Sequence, residues 1–164
     1  MRSLSSAAKS AIFASETGEV FVVLLELSHP DLAESIRVSS DNATALPGGL
    51  YGTQHGGNDY QHFPFQVTLA SEPEDRPPSA RLRIDNVDRR VVEAIRTVSG
   101  PIAISKTLVL ASSPEVTESG PFEFTLRRVR YSANAVEGEL VYEDFLSEPY
   151  PAGTFGPAGF AGLF

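Results

Sequence analysis

The chain has 164 residues and a mass of 17.6 kDa, with a formal net charge of −8 and 41% hydrophobic residues. This length and composition suit one folded domain with a single core. The absence of cysteine excludes disulfides, iron–sulfur clusters and cysteine zinc sites. The acidic balance argues against sequence-specific nucleic-acid binding, and the apolar runs are too short to span a membrane or to form a signal peptide.

The first half of the chain contains one helical pattern followed by strands. A helix is predicted over 3–15, because apolar residues recur there at steps of three and four: Leu4, Ala7, Ala8, Ala11 and Ile12. The apolar, largely β-branched run Val20 to Leu25 predicts a strand buried on both faces, and residues 36–39 its hairpin partner. Residues 41–59, rich in glycine and asparagine, predict a long loop.

The next elements alternate between strand and helix patterns. Residues 63–69 predict a strand, and Pro64 places it at its start or at a sheet edge. In residues 80–85, Leu82 and Ile84 point one way and the charged residues the other. A short amphipathic helix follows at about 88–98, before Gly100 and Pro101.

Three further strands are predicted in the last part of the chain. Residues 102–111 form one, while 122–132 and 136–142 form an antiparallel pair in which the alternation slips at Arg127 and Arg128, indicating a bulge. The expected fold is mainly β: a single small β-barrel or sandwich, spanning 1–164, with an N-terminal helix and one short helix between strands.

Recognised catalytic motifs are absent, and the strongest candidate for chemistry is a histidine-containing loop. His55, Asp59 and His62 are close in sequence and have side chains that can ligate a metal. Their spacing matches no rigid one-face pattern, so solvated loop residues are the favoured interpretation. We expect no cofactor, no metal and no enzymatic activity.

The basic residues are biased towards arginine and clustered. Eleven of the thirteen are Arg, with groups at Arg81/Arg83, Arg89/Arg90 and Arg127/Arg128/Arg130. Arginine is enriched at protein interfaces. Acidic residues gather elsewhere, so patches of opposite sign could pair between copies in a head-to-tail ring. Cross-strand ion pairs within one subunit explain the same clusters equally well.

The C-terminal arm, residues 149–164, is rich in glycine, proline and phenylalanine. As an exposed end it would form an apolar patch, so it either closes its own barrel or lies on a neighbouring subunit. The subunit-interface candidates are Tyr150, Phe155, Phe160, Leu163, Phe164, Arg89, Arg90, Arg127 and Arg128.

Nearly the whole chain resembles a family of tailed-phage and prophage proteins catalogued as a domain of unknown function. The stretches that carry the resemblance include RIDNVDRR (83–90) and a closing PAGTFGPAGFAGLF (151–164), together with ETGEV (16–20), LLELSHPDLAESIRV (24–38), FPFQVTL (63–69) and LVLASSP (108–114). The layout of residues 80–110 is also similar to the N-terminal part of lambda-like minor tail proteins L. Those proteins carry a cysteine-bearing iron–sulfur domain that this sequence lacks.

This resemblance implies a structural protein of the virion, made in the host cytoplasm and located at the phage tail tip. It would form part of the baseplate hub or adaptor ring, as a trimer or hexamer, and line the DNA exit channel. Its partners would be copies of itself, the distal tail or tube protein, the central tip protein and the tape-measure protein. The net charge of −8 would suit a lumen that repels DNA.

Two alternative functions remain open from the sequence. One is a tail-associated peptidoglycan hydrolase with His55, Asp59 and His62 in a metal site. The other is a host-carbohydrate-binding module, although such modules usually present aromatic platforms, and this chain has no Trp and scattered Tyr residues.

Overall fold

The structure is a computed structural model that describes residues 4–69, 79–85, 89–132 and 135–141. Within these ranges, two helices and nine strands follow one another. In order they are α1 (Ser6–Phe13), β1 (Phe21–Ser28), β2 (Ile36–Ser39), β3 (Gly52–His55), β4 (Asn58–His62), β5 (Phe65–Leu69), β6 (Ser79–Asp85), α2 (Arg89–Thr97), β7 (Ile102–Leu110), β8 (Ser113–Tyr131) and β9 (Ala135–Val141).

The nine strands form one mixed sheet in the order β3-β4-β2-β1-β7-β8-β9-β6-β5. Strands β2 and β4 are parallel, and the other seven neighbouring pairs are antiparallel. The prediction of a mainly β fold with an N-terminal helix and a second short helix is confirmed. The sheet is not closed, because β3 and β5 end it, so the architecture is an open sheet rather than a closed barrel. Strand β5 lies at an edge of the sheet, which is one of the two positions that Pro64 predicted.

The segment predicted as one long loop over 41–59 contains a hairpin instead, so that prediction was wrong for its second half. Strands β3 and β4 pair antiparallel, with His55 opposite Asn58. Gly56 and Gly57 between them have φ values of 57° and 73°, the positive values that a tight type I′ hairpin turn requires. The same glycines that indicated a loop therefore make the turn that joins two strands.

The main core lies on one face of the sheet, beneath α2. Alternate residues of the central strands point to this face, and α2 covers them with its apolar stripe. Its buried members are Leu25, Leu27, Val38, Phe63, Leu82, Ile84, Val92, Ile95, Ile102, Ile104, Leu126, Val136 and Leu140. The predicted inward orientation of Leu82 and Ile84 is confirmed, as is the apolar face of the second helix.

A smaller apolar cluster lies on the opposite face, formed by Val22, Leu24, Tyr60 and Val109. Strand β1 contributes to both clusters, since Leu25 and Leu27 belong to the main core. Burial on both faces explains why β1 is an almost uninterrupted apolar run. The sequence-based prediction for this strand is therefore confirmed, although its observed bounds are Phe21–Ser28.

Helix α1 is shorter than predicted and buries few side chains. Ala8 and Ala11 are buried, whereas Ile12, assigned to the same apolar stripe, is 52% exposed. Neither α1 nor any other helix within the described ranges is long and apolar enough to cross a membrane.

Strand β8 is unusually long, with 19 residues. Its pairing with β9 shifts between Arg127 and Arg130, which confirms the predicted bulge. Its pairing with β7 also shifts, beyond Lys106. Such irregularities bend a strand and increase its local twist, which lets one strand serve two parts of a sheet.

Candidate functional site

The histidine-containing segment forms the β3–β4 hairpin and the end of β4. The Nδ1 atom of His55 lies 2.7 Å from the carbonyl oxygen of Pro114, and the His55 ring meets the Tyr60 ring edge-on at 6.2 Å. The backbone N–H of Gly56 donates to Glu115 at 2.9 Å. These contacts fasten the hairpin tip to the start of β8.

The two other metal candidates do not converge with His55. His62 places Nδ1 at 3.2 Å from the carbonyl oxygen of Ser39. Asp59 is paired with Gln54, whose Nε2 donates to its carboxylate at 2.8 Å. Because side chains alternate along a strand, Asp59 lies on the face opposite His62. Across the described part of the chain, no three His, Asp or Glu side chains are grouped as a metal site.

A polar cluster links β2, β3 and the loop after β2. Ser39 and Thr53, both buried, share a hydrogen bond of 3.0 Å between their hydroxyl groups, and Thr53 Oγ1 donates to Asp41 at 3.3 Å. Burial alone would raise the pKa of Asp41, but hydrogen bonds from Thr44, Ala43 and Thr53 outweigh it and lower this pKa. The cluster buries its two hydroxyl groups away from any substrate, so we assign it a structural role.

The most developed polar surface runs across β6, β9 and β8, opposite the main core. Register places Glu139 between Arg81 and Arg127, and Glu137 between Arg83 and Arg130. Two Arg–Glu–Arg rows therefore cross three strands side by side. We call the five residues Arg81, Arg83, Arg127, Arg128 and Arg130 the arginine face.

The bulge in β8 adds a fifth arginine to these rows. Arg128 has a φ of 53°, the one positive value among the non-glycine residues that the structure describes. Its Nη1 reaches both carboxylate oxygens of Glu139, at 3.1 and 3.2 Å, while the side chain stays 79% exposed. A non-glycine residue in this conformation costs about 1–3 kcal/mol and often marks a functional position.

Two of the five arginines of this face form ion pairs with neighbouring carboxylates. Arg83 contacts Asp85 at 2.7 Å and Glu137 at 2.6 Å, and hydrogen bonding to Asp85 is the main reason why the pKa of Arg83 is raised. Arg128 forms an ion pair with Glu139. Arg81, Arg127 and Arg130 are exposed, and within the described ranges they form no ion pair.

A shallow cavity of about 150 Å³ opens on the arginine face. Arg81, Arg128 and Arg130 line it together with Gly138 and the two carboxylates, Glu137 and Glu139. The arrangement can bind anionic groups, because guanidinium groups donate several hydrogen bonds in a fixed plane. It contains no nucleophile with an adjacent base.

A second cavity, of about 180 Å³, lies between the end of α2 and strands β7 and β8. Its apolar lining includes Ile95, Ile102 and Val129. The Arg96 guanidinium stands 5.0 Å from the centre of the Tyr131 ring at its rim. The contact is a cation–π interaction that holds the helix end against β8.

The sequence-predicted interface residues fall into three groups. Arg127 and Arg128 lie together on the arginine face, while Arg89 and Arg90 begin α2, with side chains outside the described part. Tyr150, Phe155, Phe160, Leu163 and Phe164, and with them the whole arm 149–164, lie outside the described residues. The candidates omitted Arg81 and Arg130. Alternation in β6 indicated that Arg81 points away from the core, but only the register with β9 places Arg130 on the same face.

The model of the family described as domain of unknown function DUF1833 matches residues 7–155. No curated protein matches the chain.

Proposed function

The chain belongs to the DUF1833 family, and we propose that it is a structural, non-enzymatic protein of the tail tip of a long-tailed phage. In this proposal it forms part of the baseplate hub or adaptor ring. It would lie between the distal tail or tube protein and the central tip or receptor-binding protein, and it would line the channel through which DNA leaves.

The observation that carries the proposal is the resemblance to tailed-phage and prophage proteins over nearly the whole chain. Its most specific parts are the run RIDNVDRR at 83–90 and the closing glycine- and phenylalanine-rich segment at 151–164. The first of these runs from the end of β6 into the start of α2. It thus joins the strand that carries Arg81 and Arg83 to the helix over the main core.

Two features of the molecule support a role in assembly. In the part of the chain that the structure describes, charged side chains occupy an exposed sheet face, which suits contact with another protein. Among the described strands, β3 and β5 lie at the edges of the sheet, and edge strands can pair with a further chain. The proposed partners are other copies of the chain in a trimeric or hexameric ring, and the tube, tip and tape-measure proteins.

The test is to locate the chain in the virion. Tails purified from the phage or induced prophage that encodes the gene would be imaged by electron cryomicroscopy, with their protein content determined by mass spectrometry. We expect density for the nine-stranded domain at the distal end of the tube. A phage deleted for the gene should yield tails that lack the tip, and supplying the gene in trans should restore it. Complete tips without this chain would overturn the proposal.

A further inference from the structure

The arginine face of one molecule, we propose, binds an acidic surface at the opposite end of the sheet of a second copy. The inference rests on the proposed function and deepens it, because it names the two surfaces through which copies of the chain would contact one another. The contact is heterologous: each copy uses one surface to bind the copy before it and the other to bind the copy after it.

The acidic surface lies around the β3–β4 hairpin and the start of β8. Glu115 accepts a hydrogen bond from Gly56 at the hairpin tip, and Asp59 lies on β4. Glu19 accepts one from Ser112, immediately before β8, at 2.7 Å. These three carboxylates, Glu19, Asp59 and Glu115, form no ion pair with any cation in the described ranges. We call them the acidic end.

The length of β8 separates the two surfaces. The acidic end lies where the β3–β4 hairpin contacts the start of β8, whereas the arginine face lies near the end of β8, at 127–130, and on the neighbouring strands β9 and β6. Among the described residues, carboxylates without an ion pair therefore lie near one end of β8, and guanidinium groups without one lie near the other. Within the described ranges these charges have no ion-pair partner in the same copy, and a head-to-tail contact would pair the opposite signs.

The composition of the arginine face favours a protein surface over nucleic acid. Its arginines lie on β6 and β8, on either side of two carboxylates of β9, Glu137 and Glu139. These carboxylates would repel the closely spaced phosphates of a duplex. The chain as a whole carries a net charge of −8, which opposes the approach of DNA at long range. A protein surface with a few separated carboxylates, such as the acidic end, could instead place each carboxylate beside an arginine of the two Arg–Glu–Arg rows.

The experiment is a charge exchange between two variants of the full chain. One variant makes the arginine face acidic, with Arg81→Glu and Arg130→Glu; the other makes the acidic end basic, with Asp59→Arg and Glu115→Arg. Sedimentation velocity at low salt should show assemblies for the wild type and monomers for each variant alone. An equimolar mixture should associate again, since each variant keeps one native surface and the altered surfaces complement each other.

Controls separate this contact from misfolding and from general charge effects. Arg96→Gln removes a positive charge from α2, on the core side of the sheet, and should leave association unchanged. A milder pair, Arg81→Gln with Arg130→Gln, should weaken association about tenfold or more without adding like charges. Circular dichroism should show the β spectrum for every variant, and high salt should dissociate the wild type.

Several results would overturn the inference. These are a monomeric wild type at low salt, association that survives both charge-reversed pairs, a mixture that does not associate, and binding of short duplex DNA by the arginine face. The proposed function would fail separately, if the chain were absent from the tail tip. Presence at the tip with other surfaces in contact would overturn the inference alone.

Discussion

Glu118 in β8 holds Ser5 at the start of α1. One carboxylate oxygen accepts the backbone N–H of Ser5 at 2.8 Å, and the other accepts its hydroxyl group at 2.7 Å. The Ser5 hydroxyl oxygen in turn accepts the N–H of Ala8, as a helix N-cap does. Because Glu118 is only 4% exposed, this contact between residues 113 positions apart anchors the helix to the sheet.

Removing this anchor should destabilise the protein. Glu118→Ala leaves Ser5 without two hydrogen bonds to a charged acceptor, so we expect a loss of about 1–3 kcal/mol in the free energy of unfolding. Urea denaturation measures the loss, and faster amide hydrogen exchange in α1 should accompany it. The control is Glu123→Ala, an exposed carboxylate in the same strand. Equal stability of the two variants would contradict the proposed role of Glu118.

Gly52 should tolerate no side chain. A Cβ atom at this position would lie 1.9 Å from the backbone carbonyl oxygen of Tyr60, and backbone cannot move aside as a flexible side chain can. Gly52→Ala should therefore cost about 1–3 kcal/mol or more, as overpacking does. Gly18→Ala is the matched control, because nothing lies within 4 Å of the added atom. Thermal unfolding should separate the two variants, and similar midpoints would refute the close approach.

The contribution of Asp41 to stability should depend on pH. Its hydrogen bonds hold its pKa in the folded protein below the ordinary value of 3.8. The ionised form is therefore favoured by folding, and its stabilisation is present above that value and lost as the pH falls through the folded pKa. We expect Asp41→Ala to be less stable than the wild type by on the order of 1 kcal/mol at neutral pH. Urea denaturation as a function of pH should show the gap closing in acid, and a gap that widened there would contradict this assignment. Asp59→Ala, which removes an exposed carboxylate, is the control.

Removal of residues 149–164 should abolish tail assembly, as a consequence of the proposed function. The segment carries four large apolar side chains, Phe155, Phe160, Leu163 and Phe164. If they contact a neighbouring protein, as we propose, the truncated chain cannot hold its place at the tip. Complementation of a gene deletion with the truncated gene, followed by electron microscopy of the tails, measures this. Normal tails from the truncated chain would show that the arm is dispensable.

Local pattern predicted most of the elements, because it reflects local geometry. The nearly unbroken apolar run of β1 follows from burial on both faces, and the alternation in β6 follows from burial on one. The change of phase at Arg127 indicated the bulge that the register shows. The β3–β4 hairpin was missed because its strands are short and polar, and its turn glycines are as typical of a loop as of a hairpin.

The sequence by itself determined the class of fold, the faces of its longer strands and the existence of arginine clusters. Only the tertiary structure decided which charges meet. Arg81 and Arg127 are 46 positions apart, yet both lie beside Glu139, because β9 pairs with β6 on one side and β8 on the other. His62 and Asp59 are close in sequence, yet strand alternation turns them to opposite faces. Strand order and register arise from long-range pairing, so they decide the composition of a charged surface that spacing along the chain cannot specify.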